Sequence, residues 1–235
     1  MDETNQQKVI SYYDAFANEQ LKTGINVRHR TIFHLLKKAG LRRQDQVLEI
    51  GCGVGTLTYL IGKYCSSGKV LATDISPKSI EWAKARTKKF AHVHYMVTDM
   101  RDFSSPEKFD FIVLPDVLEH IPLQEHAALF ATISRHCHAH SVIAINIPDP
   151  YLLQWYHRHE PGKLQIIDQP LYTNIFLPAV YANGFFLAHL QRYALHTIEP
   201  DYQWLLLKPQ LEWTTLHPKS KWRQKWQSLR ARIYF

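Results

Sequence analysis

The stretch Val47-Leu48-Glu49-Ile50-Gly51-Cys52-Gly53-Val54-Gly55-Thr56-Leu57 decides the fold of this chain. Its apolar run ends in glycines, and an apolar, helix-compatible segment over residues 56–61 follows at once. This order predicts a strand, a tight turn and a helix N-terminus, because glycine adopts positive φ and lets a ligand approach the backbone closely. Glu49 is unusual there, since a buried parallel strand is normally apolar and a charge at that depth needs an ammonium or a row of amides.

Strands and helices alternate outward from this stretch. Hydrophobic periodicity predicts two helices within residues 6–38, and Ser76-Pro77 is a typical helix start. Such alternation predicts a parallel sheet covered by helices on both faces. The long segment 148–183 is the natural substrate cover. In chain order the predicted elements are strand 46–50, helix 55–65, strand 69–73, helix 77–88, strand 93–97, strand 109–114, helix 122–136, strand 141–147, helix 171–183, and strands near 185–193 and 202–208.

Two nucleotide-binding interpretations compete for the glycine turn. A dinucleotide fold would place a third small residue at position 56, where this chain has Thr. The observed spacing is Gly51, Gly53 and Gly55, preceded by an acid, and Asp74 closes the next strand. Together with V-L-A-T-D-I-S-P over residues 70–77, the turn resembles motif I of the class I S-adenosylmethionine-dependent methyltransferases.

The resemblance implies a fold and a cofactor site. The fold would be an α/β, Rossmann-like, doubly wound seven-stranded sheet, mostly parallel with an antiparallel last strand. The cofactor would be S-adenosylmethionine, with S-adenosylhomocysteine as the product. Glu49 would face the ligand ammonium, Asp74 the ribose hydroxyls, and the turn Asp99-Met100 the adenine. The full predicted cofactor set is Tyr13, Arg28, Glu49, Gly51, Cys52, Gly53, Gly55, Asp74, Ile75, Asp99, Met100 and Pro115.

A second motif, F-D-F-I-V-L-P-D-V-L-E-H-I-P over residues 109–122, resembles the fourth-strand region of small-molecule methyltransferases, including ubiquinone-biosynthesis-type enzymes. It implies that Pro115 and Asp116 border the methyl group and its acceptor. His120 is the candidate catalytic base, with Glu119 beside it, and capping or packing is the structural alternative for this pair. The equivalent residues of some quinone-type relatives resemble a divalent-metal site, but we expect no metal here.

Two further regions carry candidate ligand contacts. Near the N-terminus, Tyr12, Tyr13 and the segment Asn26-Val27-Arg28-His29 match what such families place over the cofactor, and Arg28 could bind the methionine carboxylate. A core tyrosine and a surface arginine are the alternatives. In segment 148–183, aromatic and imidazole side chains suggest an acceptor with an apolar surface and a polar reacting group. The predicted substrate-binding residues are Asp116, Glu119, Tyr151, Trp155, His157 and His159.

Composition limits the class of protein. The chain has 235 residues, of which 46% are hydrophobic, so it is long enough for one globular domain with additions. Three unpatterned cysteines suit a reducing compartment, and neither a signal peptide nor a membrane span is evident, so we expect a cytoplasmic protein. Residues 211–235 hold six basic residues and one acid, and so carry +5 of the net charge of +7.

The sequence thus predicts three regions. These are an N-terminal helical cap over residues 1–40, a methyltransferase domain over 41–209 and a basic amphipathic tail over 210–235. We expect methyl transfer to a small molecule, at oxygen, with no nucleic-acid partner, because the D/N-P-P-Y/F signature is absent after strand 109–114. The tail could bind a membrane surface or support self-association. The alternatives are a membrane-associated enzyme acting on a lipid-linked acceptor, and a catalytically idle protein that only binds the cofactor.

Overall fold

A computed structural model describes residues 3–212, 215, 220 and 222. In the predicted amphipathic tail, Trp222, Trp226, Leu229 and Ile233 recur at the spacing of one helical face, and all of them except Trp222 lie outside the described residues. The helices are α1 (Glu3–Thr23), α2 (Val27–Lys38), α3 (Thr56–Tyr64), α4 (Pro77–Thr87), α5 (His126–Arg135), α6 (Pro150–His159) and α7 (Thr173–Ala182). The strands are β1 (Gln46–Ile50), β2 (Lys69–Asp74), β3 (Val93–Val97), β4 (Phe109–Pro115), β5 (Cys137–Pro148), β6 (Phe185–Tyr193) and β7 (Tyr202–Pro209).

The strands form one sheet in the order β3-β2-β1-β4-β5-β7-β6. β1 to β5 are parallel, whereas β7 is antiparallel to both of its neighbours. The strand order reverses between β1 and β4, and a crevice opens at such a reversal beyond the carboxyl ends of the strands. The predicted Rossmann-like fold with an antiparallel last strand is confirmed.

Hydrophobic residues cover both faces of the sheet, as the near-continuous apolar strands require. One core cluster joins β1, β4 and β5 to α5 and α7, and Leu48 and Phe130 are fully buried in it. The second cluster joins the same strands to α2 and α3 through Ile32 and Ile61. This two-sided burial fixes where β1, β2 and β4 end, and hence where the crevice lies.

The structure differs from the predicted elements in three places. Helix 122–136 begins only at His126, because the 3-10 turns Leu118–His120 and Leu123–Glu125 precede it around Pro122. Strand 141–147 extends over Cys137–Pro148. Helix α6 was not predicted, although Asp149 caps it by accepting a hydrogen bond from the Tyr151 N–H and Pro150 occupies its first turn.

Helices α1 and α2 lie over the crevice. Asp14 of α1 accepts a short hydrogen bond from the Ser76 hydroxyl at the start of α4, which ties α1 to the sheet domain. Ser76 is also the N-cap of α4, as predicted, since its hydroxyl accepts from the Ser79 N–H at 2.9 Å. No helix within the described residues has the length and apolarity needed to cross a bilayer.

Candidate functional site

The glycine turn holds its shape through the backbone of the neighbouring strand. The N–H groups of Gly51 and Cys52 both donate to the Thr73 carbonyl, at 2.8 and 2.9 Å. Gly51 has φ +75°, and a Cβ there would lie 2.2 Å from a methyl carbon of Val117. Gly55, also at φ +75°, would place a Cβ 2.9 Å from the Ala83 backbone of α4. Only glycine therefore fits these two positions without displacing a neighbour.

A cavity of about 340 Å³ lies beyond this turn, within the size range of small-molecule sites. Residues from α1, α2, the turn, β2 and the end of β4 surround it. The predicted site residues that line it are Tyr13, Arg28, Glu49, Gly51, Cys52, Gly53, Asp74, Ile75, Asp99, Met100, Pro115, Asp116 and His120.

The predicted residues of segment 148–183 do not reach this cavity. All four lie on α6, where the side chains of Tyr151 and Trp155 are 60% and 46% exposed. His157 makes a hydrogen bond to the Asp168 carbonyl at 2.7 Å, and His159 makes one to the Trp155 carbonyl at 2.9 Å. The segment contributes a different residue to the cavity wall, Gln165. Gly55 and Glu119 also lie outside the lining.

Glu49 is the most unusual group in the wall. It is 0% exposed, and neither carboxylate oxygen has a hydrogen-bond partner among the described residues. Its pKa rises from the ordinary 4.5 to about 8, chiefly because of burial; the nearby Thr58 hydroxyl opposes this rise and the charge of Asp74 contributes to it. The alternative of a buried acid satisfied by loop amides does not match this geometry. A buried, unpartnered carboxylate in a cavity is a site for a cation.

Asp74, at the end of β2, is held by two backbone groups. Its Oδ2 accepts from the Gly53 N–H at 2.8 Å and its Oδ1 accepts from the Ser76 N–H at 2.9 Å. Burial raises its pKa, and these two hydrogen bonds oppose the shift. Each carboxylate oxygen has a second lone pair, so Asp74 can accept two more hydrogen bonds from a ligand while it holds the turn.

The segment that follows β3 also lines the cavity. Met100 has φ +71° and is 4% exposed, and its N–H donates to the Thr98 hydroxyl at 3.0 Å. The Asp99 carboxylate accepts from the Arg101 N–H at 3.0 Å. This turn therefore presents a thioether beside a carboxylate, a pair suited to the face and the amine of a heteroaromatic ring.

Arg28 and Asp116 face each other across the other end of the cavity. The Arg28 NH1 group lies 2.9 Å from Asp116 Oδ2, and the Asn146 side chain donates to Asp116 Oδ1 at 2.6 Å. The charge of Asp116 raises the pKa of Arg28. Asp116 itself has φ +56°. The Arg28 Nε group is buried without a partner among the described residues, so part of the guanidinium can still bind a ligand.

His120 is held by the loop that follows α6. Its Nδ1 lies 2.5 Å from the Ile167 carbonyl and 3.2 Å from Asp168 Oδ1. A carbonyl can only accept, so Nδ1 carries the proton and the neutral ring keeps a lone pair on Nε2. Glu119 Oε1 is 3.7 Å from that Nε2, which is too far for a hydrogen bond. His120 can therefore act as a proton acceptor.

Glu119 and Tyr13 are buried beside His120. Glu119 is 1% exposed, both of its oxygens lack a hydrogen-bond partner among the described residues, and burial raises its pKa well above the ordinary value. The Tyr13 hydroxyl is likewise buried and unpartnered within the described chain, and its ring centroid is 6.2 Å from that of His120. The described residues contain no group of three or more His, Cys, Asp or Glu side chains arranged to hold a metal ion.

Several lining residues were not predicted from the sequence. Gln20 and Phe16 face the cavity from α1, and Gln165 faces it from the loop after α6. His29 of α2, which belongs to the predicted segment around Arg28, also lines the cavity. The i, i+4 spacing of Phe16 and Gln20, together with Tyr13 one turn earlier, is a helical signal that could have identified the α1 face. No comparable pattern marks Gln165, because its position depends on the folding of an irregular loop.

Comparison with known proteins agrees with this geometry. Residues 47–140 match the sequence profile of a family described as a methyltransferase domain. The nodulation protein S of Bradyrhizobium diazoefficiens is 30% identical over 112 residues, which are 47% of this chain and 53% of the relative. The malonyl-[acyl-carrier protein] O-methyltransferase of Anoxybacillus flavithermus is 34% identical over 101 residues, which are 43% of this chain and 35% of the relative.

A solved structure shares the fold. The N-methyltransferase NodS from Bradyrhizobium japonicum WM9 superposes with a TM-score of 0.61 at 18% identity, covering 78% of this chain and 95% of that one. The chain spans about half of the length of the first relatives that it matches in sequence. The matched segment contains the glycine turn, Asp74, Asp99 and His120. Residues 47–140 of this chain therefore match a methyltransferase domain, and the described residues share the fold of a solved methyltransferase.

Proposed function

We propose that this chain transfers a methyl group from S-adenosylmethionine to a hydroxyl oxygen of a small molecule. The observation that carries the proposal is Glu49, a fully buried carboxylate in the wall of a cavity beside the glycine turn, whose oxygens have no hydrogen-bond partner among the described residues. An unpaired charge there costs several kcal/mol in general, so a cationic ligand is the natural complement. The ammonium of the cofactor supplies that charge.

The remaining wall fits the other parts of the cofactor. We assign the ribose diol to Asp74, whose oxygens keep free lone pairs, and the adenine to the turn of Asp99 and Met100. Gly51 and Gly53 allow the ligand to lie against the backbone, where a side chain would fill the space. These groups stand at the ends of β1, β2 and β3, in the order that a single extended ligand would meet them.

The cofactor supplies a methyl group on a sulfonium, which an aligned nucleophile attacks in line. The protein's task is to position the acceptor, exclude water and remove a proton. His120 Nε2 is the group placed to accept that proton, because Nδ1 is already committed to Ile167. The buried hydroxyl of Tyr13 and the buried Oε1 of Gln165 are the groups that would orient the acceptor.

The charges of the wall favour a hydroxyl over a carboxylate as the acceptor. The two arginines that line the cavity are each beside a carboxylate: Arg28 is 2.9 Å from Asp116 and Arg101 is 3.1 Å from Glu125. The relatives' names include an O-methyltransferase and an N-methyltransferase, so the choice of oxygen rests on His120 and on these charges.

The test is a label-transfer experiment with the full chain. Purified protein is incubated with a metabolite extract and S-adenosylmethionine carrying an isotopically labelled methyl group, and mass spectrometry identifies the molecule that gains the label. We expect one small molecule to gain a methyl ether. Label on nitrogen or on a carboxylate would overturn the choice of acceptor. Cofactor binding without label transfer to any molecule would identify a catalytically idle binding protein.

A further inference from the structure

The hydroxyl of Thr56 and the imidazole of His29 form a hydrogen-bonded pair in the cavity wall. Neither group has a role in the function proposed above. We propose that the Thr56 hydroxyl, oriented by His29, donates a hydrogen bond to the carboxylate of the cofactor's amino acid. The proposal rests on the proposed cofactor. It makes Thr56 a binding residue and His29 a positioning residue that acts through it.

The protonation of His29 follows from its backbone partner. Asn26 caps α2, and its N–H donates to His29 Nδ1 at 3.2 Å, while the His29 N–H donates to Asn26 Oδ1 at 3.3 Å. A backbone N–H can only donate, so Nδ1 accepts and the proton of a neutral ring lies on Nε2. The capping box of α2 therefore selects one tautomer of His29.

The surroundings keep His29 neutral near physiological pH. Burial and, to a smaller extent, the positive charges of Arg28 and Arg86 together lower its pKa to about 4. A protonated ring would carry a hydrogen on Nδ1 that points at the Asn26 N–H. The tautomer with a proton on Nε2 is accordingly the working form across the physiological range.

The proton on Nε2 decides what Thr56 can do. His29 Nε2 lies 2.8 Å from Thr56 Oγ1, so the ring donates and the hydroxyl oxygen accepts. The hydroxyl's own proton must then be donated elsewhere. Thr56 is 7% exposed and lines the cavity, and the hydrogen bonds of the described residues include no second partner for its hydroxyl. This buried donor is directed to a ligand in the cavity.

The position of the Thr56 hydroxyl in the fold indicates that the ligand group it binds is an anion. Thr56 is the first residue of α3, a helix of nine residues whose N-terminal end attracts negative charge. Arg28, next in sequence to His29, lines the same cavity, and its buried Nε has no hydrogen-bond partner among the described residues. Glu49 supplies the opposite charge from the end of β1. A zwitterion with its ammonium toward Glu49 and its carboxylate toward Thr56 satisfies all of these groups.

The test compares two variants of Thr56 by calorimetric titration with S-adenosylhomocysteine. Thr56→Val removes the hydroxyl with little change in shape and should weaken binding by roughly tenfold or more, since a hydrogen bond to a charged group is lost. Thr56→Ser keeps the hydroxyl and should bind within about threefold of the natural chain. Equal affinities of the Val variant and the natural chain would overturn the proposal.

A second ligand separates recognition of the carboxylate from support of the turn. 5′-Methylthioadenosine has the nucleoside and the sulfur but no amino acid, so Thr56→Val should leave its affinity unchanged. An equal loss for both ligands would show that the hydroxyl supports the turn, and would contradict the proposal. If the natural chain binds neither ligand, the proposed function itself fails.

His29 is tested through its effect on Thr56. His29→Leu should weaken S-adenosylhomocysteine binding by about threefold to tenfold, and His29→Gln, which restores a donor, should recover part of the loss. In the Thr56→Val background, His29→Leu should cause no further loss, because the two residues act as one unit. His34→Leu, on the exposed face of α2, is the matched control and should bind normally. Additive losses in the double variant would contradict the positioning role.

Discussion

A buried glutamate lies near each of the two ends of the cavity, and in both glutamates the carboxylate oxygens have no hydrogen-bond partner among the described residues. Glu49 faces the cavity at the end of β1, among groups that a ligand can reach. Glu119 lies behind His120, outside the cavity wall, although it is equally buried. Burial raises the pKa of both carboxyl groups. A buried carboxyl group with a raised pKa therefore indicates a ligand-binding residue in the case of Glu49, and a residue packed beside His120 in the case of Glu119.

The surroundings explain the difference. At the cofactor end, the backbone of β1 and β2 holds the turn, and its side chains keep unused hydrogen-bonding capacity for a ligand. At the acceptor end, side chains bind groups on distant elements: Arg28 of α2 pairs with the Asp116 carboxylate, and His120 donates to the backbone carbonyl of Ile167. One end is built for a cofactor of fixed chemistry, and the other is arranged around the acceptor that we propose.

The largest effect should come from the acceptor end. His120→Ala should lower kcat by about a hundredfold or more, the usual contribution of a positioned base, with little change in the affinity for S-adenosylhomocysteine. Steady-state kinetics on the labelled acceptor and calorimetry measure the two quantities. His159→Ala, on exposed α6, is the control and should keep full activity. Loss of activity in that control would instead restore the predicted substrate role of α6.

The two glutamates provide the most direct comparison. Glu49→Gln should weaken S-adenosylhomocysteine binding by about a hundredfold, because the ammonium loses its counter-charge in a buried site. Glu119→Gln removes an equally buried carboxylate that lies outside the cavity wall. The affinity of this variant for S-adenosylhomocysteine should stay within about threefold of that of the natural chain. Calorimetric titration of both variants checks this. Similar losses in the two would mean that Glu49 acts only through the fold.

A smaller loss is expected for the ribose contact. Asp74→Ala should weaken cofactor binding by about thirtyfold, since the hydroxyls lose their acceptors and the Gly53 N–H loses its partner. Asp74→Asn retains one acceptor oxygen and should lose less of the affinity for the cofactor. Calorimetry measures both, and an unchanged affinity in the Ala variant would remove Asp74 from the site.

The smallest effect concerns stability without ligand. A carboxyl group whose pKa rises from 4.5 to about 8 on folding stabilises the fold below pH 4.5, and that contribution is lost as the pH rises toward 8. Glu49→Gln should therefore raise the free energy of unfolding at pH 8 by about 1 kcal/mol, since the buried amide keeps part of the penalty. Chemical denaturation at pH 5 and pH 8 measures this. A gain at pH 5 as large as that at pH 8 would contradict the assigned titration.

The cofactor end could be predicted from the sequence because its parts are local. The bounds of β1 and β3 were predicted correctly, and the glycine turn, Asp74 and Asp99 each follow a strand whose periodicity is plain. The acceptor end depends on which face of segment 148–183 turns inward. Aromatic composition suggested Tyr151 and Trp155, but α6 exposes them and the loop after it brings in Gln165. Neither composition nor periodicity encodes that choice.

The central claim is that Glu49 binds the cofactor's ammonium, and proton release on binding tests it most directly. A carboxyl group with a pKa of about 8 is mostly protonated at pH 7 and must ionise to pair with an ammonium. Titration with S-adenosylhomocysteine at pH 7 in buffers of different ionisation enthalpy counts the released protons. We predict release approaching one proton for the natural chain and close to none for Glu49→Gln. Equal release from both proteins would contradict the account.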